Sequence, residues 1–335
     1  MDATMRPRIV FMGTPEFAAT ILTKVLDSQA FDVAGVYCQP DRPCGRGQKC
    51  TPPPVKRVAL THGLLVFQPS TFKDAEVLAG LTALSPDILL VAAYGLILPQ
   101  TVLAIPRRGP WNVHASLLPR HRGAAPIQRA ILAGETHTGI TIMKMEAGLD
   151  TGPMLLARSI PIGPDETGGS LHDRLAELGG LMAVDALALV ARGAPPTTPQ
   201  DEALVTYAPK ITRDDTLIRW DESNAAIHNR IRAMSPRPGA FFFLEFPGTN
   251  RRIRLQATPG RSKRITTPLT PPGRILGLSA GMLSISSRDG VYLIPSIKPD
   301  GKNWMDATSF ACGYLSKLAP DAALSCPPPA VLARR

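Results

Sequence analysis

Between residues 8 and 116 the chain switches repeatedly between two hydrophobic periods, and that alternation restricts the fold more than any other feature. Short β-branched or apolar runs, RIVFMG (8–13), VAGVYCQ (33–39), LLVFQ (64–68), DILLVAAYG (87–95) and WNVHAS (111–116), are separated by stretches of helical spacing, PEFAATILTKVLDS (15–28), VKRVALTHG (55–63) and DAEVLAGLTAL (74–84). A strand, a helix and a second strand in succession return the chain in the same direction, so the pattern predicts a mainly parallel sheet covered by helices on both faces. Ligands of such a doubly wound, Rossmann-like α/β domain bind outside the carboxyl ends of the strands. TGITIMKM (138–145) and MLLARSIPI (154–162) read as two further strands, and an amphipathic helix over 170–193 closes the domain, which we place at residues 1–192.

A chain of 335 residues is long for one core, and 44% hydrophobic content suffices for two. The proline-rich stretch APPTTPQDEALVTYAPKITRDD predicts a linker at 193–212. A helix over NAAIHNRIRAM is followed by short strands at FFFLEF, RRIRLQAT, GRILGLS, MLSISS and VYLIPSI, the pattern of a smaller OB-like β-barrel at 213–325, with a disordered tail at 326–335. The charge divides at the same place. Residues 1–211 hold 19 Lys and Arg against 18 Asp and Glu, whereas residues 212–335 hold 18 against 9, so nine of the ten net positive charges fall in the C-terminal third. Such a surface suits a polyanion, or it is solvated charge that maintains solubility; charge alone leaves both open. The N-terminus has no signal-peptide pattern and no window is long and apolar enough to span a bilayer, so a soluble cytoplasmic protein is expected. Five scattered cysteines without a C-x-x-C pair predict free thiols and no metal site.

In WNVHAS, residues two apart project to one face, which sets Asn112 and His114 together at a strand end. An amide donor beside an imidazole suits a reaction through a tetrahedral carbon, with the developing oxyanion held by both. An isolated N-x-H is nevertheless more often a polar pair satisfied by backbone. The turn EAGLDTGPM (146–154) brings a carboxylate, Asp150, to the expected same end of the sheet, where it would fix the tautomer of His114 and favour the imidazolium; Asp between glycines is otherwise an ordinary turn residue. The loop QPDRPCGRGQKCTPPPVK (39–56) carries Arg42, Arg46, Lys49 and Lys56 against Asp41 and is too long for a plain crossover, so it suits single-stranded or distorted nucleic acid or is a surface insertion. MGTPEF (12–17) places Thr14 as N-cap and Pro15 at the first helical position, and it lacks the glycines of a dinucleotide fingerprint, so no nucleotide cofactor is expected.

Taken together, FMGTPEFA, QPDRPCGRG, AYGLILP, NVHASLLPRHRGAAPIQRAILAGE, TGITIMKMEAGLDTGPML and LVTYAPKI resemble the methionyl-tRNA formyltransferase family, in the family's order across residues 8 to about 212, with IRAMSPRPGAFF extending the likeness. The resemblance implies formyl transfer from 10-formyltetrahydrofolate to the methionine α-amino group of initiator Met-tRNA. It implies catalytic roles for Asn112, His114 and Asp150, and folate contacts at Ser116, Leu117, Leu118 and Pro119 with residues 94–97 lining the pocket. It also implies tRNA contacts at Arg42, Arg46 and Lys49, with no metal; nothing in the sequence suggests a subunit interface, so a monomer is expected. Arg237 in SPRPG departs from the family, where an aromatic residue is common, and residues 250–268 are unusually basic. The roles of Arg120 and Arg122 stay open between folate, tRNA and solvent.

Overall fold

The structure, a computed structural model, describes residues 6–44, 49–245, 252–264 and 271–315. These cluster into two units, the first within Met1–Pro126, His137–Pro161 and His172–Pro209, the second within Ile127–Thr136, Ile162–Leu171 and Lys210–Arg335.

The first unit is built on β1 (Arg8–Gly13), α1 (Glu16–Asp27), β2 (Asp32–Tyr37), the hairpin β3 (Arg42–Cys44) and β4 (Lys49–Thr51), α2 (Pro54–Thr61), β5 (Val66–Phe67), α3 (Ala75–Ala83), β6 (Ile88–Ala92), α4 (Gln100–Leu103) and β7 (Pro110–His114). It continues through β8 (Arg122–Gly123), α5 (Pro126–Leu132), β9 (His137–Lys144), β10 (Met154–Pro161), α6 (Gly168–Arg192) and β11 (Tyr207–Ala208), with parts of α5 and α6 belonging to the second unit. The main sheet has the order β10-β9-β7-β6-β1-β2-β5. β5, β2, β1, β6 and β7 are parallel, as the strand–helix rhythm requires, while β9 runs antiparallel to β7 and β10 antiparallel to β9. β1 and β6 are buried at nearly every position because helices cover both faces.

The chain leaves β1 in one direction across the sheet and returns through β6 in the other, so the loops after these two strands flank the topological switch point. They are tied together there. The Thr14 hydroxyl donates to the Tyr94 carbonyl at 2.7 Å and accepts from the Gln39 amide at 3.2 Å. Thr14 is therefore not the helix cap expected from the sequence; Pro15 occupies the N-cap position without a side-chain bond. Gly13 is required by close approach, since a Cβ there would lie 2.6 Å from the Ala18 Cβ and 2.8 Å from the Ala92 carbonyl oxygen.

Residues 193–209, expected as a linker, cluster instead with the first unit. Thr198 bridges to Met154, and β11 pairs in parallel with β8 through Tyr207↔Arg122 and Ala208↔Gly123. A linker of this composition carries too little periodicity to announce such a strap. The tail at 326–335 lies outside the described residues.

The second unit holds α7 (Asn224–Ala233), β12 (Phe241–Glu245), β13 (Arg252–Ala257), β14 (Arg261–Arg264), β15 (Ile275–Ser279), β16 (Met282–Ser286), β17 (Gly290–Ile294), β18 (Ser296–Pro299), β19 (Met305–Asp306) and the short α8 (Ala307–Phe310). Its two four-stranded sheets, β12-β13-β18-β19 and β14-β17-β16-β15, are antiparallel throughout. The chain passes from one sheet to the other after β13 and after β17, the crossing that closes a barrel-like core around Phe242, Leu255, Ile285, Tyr292 and Ile297. On β13, Arg252 stacks 3.6 Å over the Phe243 ring and Arg254 4.0 Å over the Phe241 ring.

Candidate active site

Asn112 and His114 lie at the carboxyl end of β7, between β6 and β9, and are 9% and 5% exposed. Alternation puts Trp111 and Val113 on the opposite face. His114 Nε2 is 2.9 Å from the His121 carbonyl oxygen. A carbonyl can only accept, so Nε2 carries the proton, and Nδ1 is left as the nitrogen that gains or loses one. Nδ1 faces Asp150 Oδ2 at 3.7 Å. That separation is beyond a hydrogen bond, and the two form an ion pair only when the imidazole is protonated. The Asn112 side chain is spent on no other described residue, so its N–H donors are available at the same end of the strand.

Asp150 is held by the backbone around it. Its Oδ2 accepts from the Gly123 amide at 2.8 Å, and its φ of +52° lies in the left-handed region. Asp tolerates this conformation better than most residues, at a cost of about 1 kcal/mol that the surrounding bonds must offset. Gly152 completes the turn, since a Cβ there would fall 1.8 Å from the Lys144 carbonyl oxygen. The structure thus brings Asn112, His114 and Asp150 together from β7 and from the turn joining β9 to β10.

The SLLP segment that follows β7 is internally fixed. The Ser116 hydroxyl donates to the Arg120 carbonyl at 2.6 Å, and the Ser116 carbonyl accepts from the Thr141 hydroxyl at 2.7 Å. Thr141 in turn accepts from the Leu118 amide at 3.1 Å. Ser116, Leu118 and Pro119 are buried and Leu117 is half-buried, so this segment offers a rigid wall with the serine hydroxyl already engaged. On the switch-point side, Tyr94 is buried and Ile97 is 94% exposed. Burial pushes the Tyr94 phenol well above its ordinary range, so it stays neutral.

Of the basic loop, Arg42 bonds Gln39 Oε1 at 3.2 Å and is exposed. Arg46 lies outside the described residues, and the Lys49 backbone pairs with Cys44 in the short hairpin. At the root of the loop Lys56 donates to both oxygens of Asp41 at 2.9 and 2.8 Å and to Gln68 Oε1 at 2.8 Å. Hydrogen bonds from Lys56 and then Gln68 hold the Asp41 carboxyl below its usual range. Lys56 is therefore a structural cation.

Sequence reasoning left Arg122 open, and the structure places it in the interior. It is 2% exposed, and its guanidinium binds Gln200 Oε1 at 3.0 and 2.9 Å and Glu202 at 2.8 and 3.3 Å. The residues it engages sit in the strap, where no local pattern marks them. Among the described residues no group of three or more His, Cys, Asp or Glu is placed to hold a metal ion, and no helix is long and apolar enough to cross a membrane.

Fold and site together define a formyl transferase. The formyl transferase family model matches residues 7–187, and the model for the formyl transferase C-terminal domain matches residues 210–315. The chain is 49% identical over 310 residues to a methionyl-tRNA formyltransferase of Nitratidesulfovibrio vulgaris strain Hildenborough, covering 92% of this chain and 94% of that one. It is 48% identical over 296 residues to that of Pseudomonas putida strain GB-1, covering 88% and 92%. It belongs to the methionyl-tRNA formyltransferase family. In fold alone it is similar to HypX from Aquifex aeolicus in complex with tetrahydrofolic acid, with a TM-score of 0.62, 16% identity and 94% of this chain covered; the match spans 48% of HypX. The sugar 3N-formyl transferase WlaRD, crystallised with dTDP and 5-N-formyl-THF, aligns with a TM-score of 0.60 and 17% identity over 89% of this chain and 99% of that one.

Proposed function

We propose that the protein transfers the formyl group of 10-formyltetrahydrofolate to the α-amino group of methionine on initiator Met-tRNA, in the cytoplasm and as a monomer. The observation that carries the reading is His114 with Nε2 committed to the His121 carbonyl and Nδ1 turned toward Asp150, beside the unspent amide of Asn112.

The uncharged amine attacks the formyl carbon, forming a C–N bond while the carbonyl pair moves to oxygen. Asn112 and the protonated Nδ1 of His114 stabilise that oxyanion. Asp150 takes the proton released by the amine, directly or through water, and passes it to N10 as the bond from N10 to the formyl carbon breaks. The step needs neither an enzyme nucleophile nor a metal. Ser116 to Pro119 and residues 94–97 form the folate side of the pocket. Arg42, Arg46 and Lys49 engage the acceptor end, whose unpaired bases are open to readout, and the basic C-terminal barrel contacts phosphates that position the tRNA body.

The test supplies the purified protein with 10-formyltetrahydrofolate and initiator Met-tRNA, elongator Met-tRNA or no acceptor. Formyl-methionine on the initiator alone is the expected product. Formate release without acceptor would mark a hydrolase, and absence of product with either tRNA would overturn the reading.

A further inference from the structure

We infer that Gln200 is a positioning residue for Asp150, and that the chain Glu202–Arg122–Gln200 sets the carboxylate against His114 from below. The inference rests on the reaction proposed above, in which Asp150 and His114 act as a pair.

The Gln200 amide is saturated. Its Nε2 donates to the carbonyls of Asp150 and Gly152 at 2.7 and 2.8 Å, and its Oε1 accepts twice from Arg122. Turned over, the amide would set its oxygen against two carbonyls and its nitrogen against the guanidinium donors, so only one orientation is stable. One of the two carbonyls it grips belongs to Asp150 itself, held in its left-handed conformation, and the other lies two residues on. Without those donors the strap would hold the turn only through the Thr198–Met154 bridge two residues beyond Gly152, and the carboxylate would swing relative to Nδ1. Gly123 alone would then hold Oδ2.

Arg122 supports the grip from two directions. Its backbone amide donates to the Thr206 carbonyl at 2.9 Å, which fixes β8 on the strap, while its side chain orients Gln200. The preceding residue, His121, supplies the carbonyl that locks His114 Nε2. One short segment, 121–123, thus sets the tautomer of His114, the orientation of Gln200 and the bond to Asp150. Gln200 bonds the backbone carbonyls of Asp150 and Gly152 and makes no hydrogen bond to Nδ1 or to the Asp150 carboxylate, so it acts through the turn.

Gln200→Glu separates this role from ordinary stability. Glutamate keeps the size and the Arg122 contact but presents oxygen to the two carbonyls. The expected result is a kcat about 100-fold lower, with KM for the formyl donor and for Met-tRNA within about threefold, because misplacing a reacting group costs turnover more than binding. In protein labelled with ¹⁵N-histidine, the His114 Nδ1 resonance moves while Nε2, locked by His121, stays. Gln200→Ala, which lets water reach both carbonyls, is read the same way should glutamate unfold the chain. A folded variant with wild-type kcat and an unmoved Nδ1 resonance would overturn the inference. Wild-type protein that formylates neither Met-tRNA would instead overturn the proposed reaction, and the histidine spectrum would still decide the role of Gln200.

Discussion

Two aspartates in the first unit, Asp41 in the loop after β2 and Asp150 in the turn between β9 and β10, each lie near a glutamine amide. They are held in opposite ways. Asp41 has both oxygens bound by Lys56 and one by Gln68, so its charge is neutralised where it stands. Asp150 receives one backbone N–H on Oδ2, faces His114 Nδ1 at 3.7 Å, and keeps Oδ1 without a hydrogen-bond partner among the described residues. The glutamines differ to match: Gln68 donates to a carboxylate directly, whereas Gln200 donates to the carbonyls of the turn. A carboxylate that is to work must be placed by its backbone and spared by its neighbours, and one that is to anchor a loop is saturated.

The largest expected effect is at Asp150. Asp150→Asn should lower kcat about 1,000-fold with folding and donor binding retained, since a proton acceptor is removed while the Gly123 bond can still form. His114→Ala belongs to the same class, and stopped-assay formylation of Met-tRNA measures both. Asp41→Asn makes the opposing case and should leave kcat unchanged. If it cost turnover as Asp150→Asn does, the division between working and anchoring carboxylates would break.

An intermediate effect is expected at Arg46. Arg46→Ala should raise KM for Met-tRNA about tenfold, the scale of one hydrogen bond from a charged group, and leave folate affinity measured by fluorescence titration unmoved. The result sharpens the comparison, because Asp41 and Lys56 clamp the root of the loop that carries Arg46. Lys56→Met should therefore act on the same KM without touching donor binding.

Much of the site was legible because strand alternation is a local rule. The period of WNVHAS puts Asn112 and His114 on one face, and the acidic turn follows a strand whose own pattern is clear. The parallel strands were equally readable from their crossover helices. Orientation at the β9–β10 edge was not, because an apolar run reads alike in either direction. Gln200 was invisible for a different reason. It lies 50 residues from the turn it binds, in a stretch whose strand β11 is two residues long, so neither periodicity nor composition separates a strap from a linker. Arg122 stays open between folate, tRNA and solvent until the strap that buries it is seen.

The smallest effect tests the anchoring aspartate through pH. The Asp41 carboxyl titrates below its ordinary range in the folded protein, chiefly through its hydrogen bond to Lys56. A carboxyl depressed on folding adds stability that is fully present above its unfolded pKa of about 4 and is lost as pH falls through the lower folded value. Wild-type protein should thus outlast Asp41→Asn in urea at pH 7 by a small margin, and the two midpoints should converge as pH drops below about 4. Both side chains of the pair are partly exposed, and solvent screening keeps the margin modest. A gap that widened toward low pH would mean that the protonated acid, rather than the ion pair, anchors the loop, and Asp41 and Asp150 would no longer stand as opposites.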